Sequence, residues 1–60
     1  ALEEVERLER VLLEAAKIAR EISNGGDAYP VGARELASRL SDDLPSKAET
    51  IKAIVSKASV

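Results

Sequence analysis

Asp42-Asp43-Leu44-Pro45-Ser46-Lys47-Ala48-Glu49 is the stretch that decides how many helices this chain contains. Proline has no amide hydrogen to give a helix, and its ring collides with the carbonyl four residues back. It also pushes the residue before it, Leu44, toward extended backbone. On these grounds 42–45 reads as a turn. Ser46 with Glu49 three residues later then reads as a capping box. The serine hydroxyl would accept from the Glu49 amide, and the Glu49 carboxylate from the Ser46 amide. A helix is predicted from there, over about 47–58, with Ala48, Ile51, Ile54, Val55 and Ala58 facing inward.

Working back from the turn, Leu36, Ala37 and Leu40 form the apolar face of a second short helix over about 33–41. Before it, Asp27-Ala28-Tyr29-Pro30-Val31-Gly32 reads as an extended link, with Gly32 as N-cap. Asn24-Gly25-Gly26 ends a long first helix over about 2–23, because Asn and Gly accept the left-handed backbone common at helix C-termini. In that helix Val5, Leu8, Leu12, Ala15, Ala19 and Ile22 alternate steps of three and four, with Val11 and Ile18 widening the stripe. This is the 3.6-residue period of a helix that buries one face. Pairs four apart, Glu3 with Arg7, Glu6 with Arg10 and Lys17 with Glu21, lace its outer side. The expected fold is therefore all-α, a single domain over 1–60, and a three-helix bundle whose second and third helices form a helix-turn-helix.

Composition narrows the function. The chain has 60 residues, no cysteine and no histidine, and Tyr29 is its one aromatic residue. Disulfides and thiolate metal sites are excluded, and the commonest general base at neutral pH is missing. No enzyme activity, cofactor, metal or small-molecule substrate is expected. Asp42 and Asp43 without a full ligand loop make a poor calcium site. No apolar run is long enough to span a bilayer, so no membrane role is expected. The net charge is −2. Residues 1–31 carry four basic and seven acidic side chains, a net of −3, whereas 46–60 carry three lysines and one glutamate, a net of +2. Positive charge is thus biased toward the last helix. There is no targeting signal, which fits cytoplasmic or recombinant expression and assigns no location.

Tyr29-Pro30-Val31-Gly32-Ala33-Arg34-Glu35-Leu36-Ala37-Ser38-Arg39-Leu40 resembles the approach to the second helix of winged-helix repressors, where a proline-bearing link leads into Arg-Glu-Leu-Ala-x-x-Leu. Leu44-Pro45-Ser46-Lys47-Ala48-Glu49-Thr50-Ile51 is similar to the turn and recognition helix of LexA-like DNA-binding domains. The pattern covers about 12–58. It departs from that family in carrying Ser41 where a turn glycine is familiar and in lacking a wing. The idealised opening helix is also similar to computationally designed helix-turn-helix miniproteins that bind DNA.

The third helix supplies an independent argument. Its outward stripe, Ser46, Glu49, Ala53 and Ser56 flanked by Thr50, Lys52 and Lys57, consists mostly of small side chains, whereas Glu, Arg and Lys fill the outer face of the first helix. Short side chains let a backbone approach base edges in a major groove. The expectation is sequence-specific binding to double-stranded DNA. Lys47, Glu49, Thr50 and Ala53 would read bases, while Tyr29, Gly32, Arg34, Ser46, Lys52 and Lys57 would hold phosphates. The competing expectation is a small protein-interaction or purely structural bundle. The chain is expected to be monomeric, unless the overhang of a long first helix, Leu2, Val5 and Leu8, pairs with a second copy.

Overall fold

The structure, a computed structural model, describes residues 2–58. It is a helical hairpin. Helix α1 spans Leu2–Ser23, a 3-10 turn spans Gly26–Ala28, and helix α2 runs from Val31–Ala58 without interruption. The first helix is the one anticipated. The expected second and third helices are a single helix, and the three-helix bundle with its helix-turn-helix is overturned.

Two features explain why 42–45 does not turn. The first is the lack of any glycine or asparagine between Ser41 and Ser46, the residues that most often take the left-handed backbone at a helix end. Gly26, at φ 60, is the positive-φ residue of the described chain, and it lies in the real turn. The second is that the inward period runs straight through the proline. Ala37, Ser41, Leu44, Ala48, Ile51 and Val55 follow steps of four and three, and all are buried or half-buried. Breaking the helix would put the two halves of this line out of register with α1. The intact helix instead accepts Pro45 at a cost of about 3 kcal/mol. Lys47 Nζ donates to Asp43 Oδ1 at 3.0 Å, an i,i+4 pair that straddles the missing backbone bond. The Ser41 hydroxyl donates back to the Ser38 carbonyl at 2.7 Å. The capping box does not form, since Ser46 lies inside the helix and its carbonyl accepts from Thr50 Oγ1 at 2.9 Å.

At the link, the Asn24 amide donates to the Arg20 carbonyl and the Gly25 amide to that of Ile22, closing α1 where Asn-Gly-Gly indicated. A Cβ on Gly25 would lie 2.5 Å from Cε2 of Tyr29, so the ring packs directly on this glycine. Helix α2 begins earlier than anticipated. The Arg34 amide donates to the Pro30 carbonyl at 3.1 Å, which puts Gly32 in the first turn rather than at the N-cap.

The buried face of α1 keeps Val5, Leu12, Ala15, Ala19 and Ile22 of the expected stripe, adds Ala16, and leaves out Leu8, Val11 and Ile18. Ala16 and Ala19 are its buried residues, whereas Leu8 is 42% exposed and Ile18 50%. Across the seam stand Ala37, Ser41 and Ala48 of α2. Alanine against alanine lets two helices approach closely, and that approach leaves the larger side chains at the edges. Of the inward positions expected on α2, Leu36 and Ile54 are among the most exposed large apolar residues, and Ala58 is exposed. Among the described residues no large side chain is fully buried. The molecule measures 48 × 15 × 11 Å with a radius of gyration of 14.0 Å. A compact 60-residue domain would have about 10 Å. The expected overhang of α1 is absent too, because Leu2 and Val55 border the same shallow hollow at the open end of the hairpin.

Candidate functional site

Each helix carries an apolar sector wider than one neighbour can cover. At 100° per residue, the apolar arc of α1 sweeps from Val5 and Ala16 through Ala19 and Ala15 to Ile22, Val11 and Ile18. Helix α2 covers the first part of that arc and leaves the second open. The same holds for α2, whose arc continues from Ala37 and Leu44 through Leu40 to Leu36.

The two open halves face the same side and form a groove of about 370 Å³ near the turn end. Its α1 wall is Ala15, Ile18, Ala19 and Ile22. Its α2 wall is Ala33, Leu36, Ala37, Leu40 and Leu44. No charged side chain lines it. Leu36 is 58% exposed, and Leu40 39%, at its lip. These residues read as core from sequence; the width of the apolar arc on each helix was the signal that two helices would not suffice to bury them. Among the described residues no cluster of three or more acidic side chains stands ready for a metal ion, and no helix is long and apolar enough to cross a membrane.

The residues expected to touch DNA are spread along the hairpin. Tyr29, Gly32 and Arg34 lie at the turn, and Arg34 is engaged there, its Nε donating to the Tyr29 carbonyl at 3.2 Å. Lys57 lies 25 residues beyond Gly32 on the same helix, about 37 Å away. Lys52 borders the shallow hollow at the open end, beside Glu6 and Glu9 of α1. Lys47 is paired with Asp43. Glu49, Thr50 and Ala53 are exposed, as are Ser46, Lys52 and Lys57. Lys47 and Glu49 lie 160° apart around α2, so the four expected base readers do not share one stripe. A helix-turn-helix supports its reading helix with a preceding helix at a steep angle. Here the preceding segment is collinear with it.

No protein-family model matches the chain, and no curated protein or solved structure matches it either.

Proposed function

We propose that this hairpin is a helix-docking module, half of a helical bundle that completes its core on helices of another polypeptide. The groove between Ile18 and Leu36 carries the reading. It is continuous, open to solvent and walled by apolar side chains from both helices. Contiguous exposed apolar surface of this kind marks interaction sites, because leaving it wet forgoes the hydrophobic gain of burial. Both walls are rigid helix, so the groove exists before a partner arrives, and docking orders little backbone.

The test is titration with a synthetic amphipathic helix carrying leucine on one face and lysine on the other, followed by circular dichroism and thermal melting. The native chain should gain thermal stability with added peptide. A chain carrying Ile18→Glu and Leu36→Glu should not, although both positions are exposed and tolerate the change. Equal responses from the two chains would remove the groove from the account.

A second reading, contact with duplex DNA, draws on one observation. Ser46, Thr50, Ala53 and Lys57 are exposed and fall within a 60° sector of α2. That gives a narrow strip of small side chains beside a lysine, suited to a major groove. Fluorescence polarisation with pooled random duplexes checks it. Binding that both added salt and Lys57→Glu weaken supports this reading, and the lack of salt-sensitive binding at low ionic strength ends it.

A further inference from the structure

We infer that the occupant of the groove is a second copy of this chain, two hairpins closing face to face into a symmetric four-helix bundle. This rests on the docking reading above and names its partner.

The first argument is surface. A folded monomer of 6.4 kDa exposes about 3,800 Å². This chain exposes 4643 Å². The excess, about 850 Å², matches the roughly 800 Å² that each partner gives up in a standard stable interface. One further hairpin supplies that cover.

The second argument is charge along the rims. Within 60° of Ile18 around α1, the charged residues are Glu3, Glu4, Glu14 and Glu21 against Arg7, a net of −3. Within 60° of Leu36 around α2 they are Arg39, Lys47 and Lys57 against Asp43, a net of +2. The outer rim of one helix is acidic and that of the other basic. A two-fold axis parallel to the helices lays α1 of one copy along α2 of the other, acidic rim on basic rim, at both edges of an isologous interface. Every helix then has antiparallel neighbours, so the helix dipoles also run opposed. The alternative axis, perpendicular to the helices, would set acidic α1 on acidic α1.

The third argument is register. On two antiparallel helices, residue pairs whose numbers add to the same value keep one relative height. Glu21 with Arg39, Glu14 with Lys47 and Glu4 with Lys57 sum to 60 or 61. All three pairs therefore share one register. A parallel two-fold axis keeps this register unchanged, so all three pairs close together across each rim.

Sedimentation equilibrium over a range of concentrations reads the outcome. The native chain should reach twice its 6.4 kDa mass and no more. Glu21→Lys alone and Arg39→Glu alone should each weaken the dimer roughly tenfold. The chain carrying both should recover native affinity within about twofold, since each new lysine then meets a new glutamate. Both side chains are exposed in the monomer, and helicity by circular dichroism verifies that the variants fold. A monomer throughout, a higher oligomer, or a double variant as weak as either single one overturns the inference. A monomer that still binds the synthetic amphipathic helix overturns only the second copy. A monomer that ignores the peptide overturns the docking reading with it.

Discussion

Replacing Pro45 by alanine separates one long helix from two short ones by the sign of its effect. In the unbroken α2, Pro45 withholds the hydrogen bond that the Ser41 carbonyl would otherwise accept and presses its ring toward that carbonyl. Proline in a helix interior costs about 3 kcal/mol relative to alanine. Against this, the ring is half-buried at the seam. Its two extra methylenes, each worth about 0.8 kcal/mol when fully buried, contribute about 0.8 kcal/mol in all at half burial. Pro45→Ala should therefore stabilise the hairpin by about 2 kcal/mol. At 4–8 °C per kcal/mol for a domain this small, the melting temperature should rise by roughly 10 °C. Ellipticity at the helical minimum should deepen as the carbonyl of Ser41 regains its partner. The melts are run at matched chain concentration, since association shifts them by mass action. Were Pro45 instead the pivot of a turn, its fixed φ would restrict the unfolded chain, and alanine would lower stability by about 0.4–1 kcal/mol. A loss of stability on this substitution refutes the continuous helix.

Three further substitutions probe the link and the seam by the same melts. Gly26→Ala should destabilise by about 1–2 kcal/mol, because a Cβ at φ 60 meets its own backbone although the space around it is open. Gly32→Ala should stabilise by about 0.5–1 kcal/mol, since Gly32 lies in the first turn of α2 and a methyl there would meet nothing within 4 Å. Ala48→Leu should cost about 1–3 kcal/mol: Ala48 is the most buried of the core alanines at 3%, and a larger side chain forces the helices apart. If leucine there were neutral, close approach along the alanine seam would not be what holds the hairpin.

Much of the first half of the molecule was legible in its residues. Alternating apolar steps marked α1, and Asn24-Gly25-Gly26 marked its end, because glycine is the residue that reaches the left-handed backbone without strain. In the second half, the local effect of Pro45 competes with a longer pattern and loses. The inward line from Ala37 to Val55 crosses the proline without losing step. That continuity was the better guide, since six positions along a seam outweigh one lost hydrogen bond. One edge of the α1 face differs for a related reason. Periodicity placed Leu8 and Ile18 on the inner face with Ala19, but alanines allow the closer contact, and Ala16 joins Ala19 in the seam while Leu8 and Ile18 stay exposed. The groove was out of reach while a third helix was expected to cover it.

The residues by themselves determined that this chain is helical and where α1 ends. Each of these is a property of a few neighbours along the backbone. Only the tertiary structure decided the number of helices, which apolar residues form the seam and which are left open. Those outcomes depend on how closely two helices approach and on what remains uncovered once they have, and no local stretch of sequence contains either quantity.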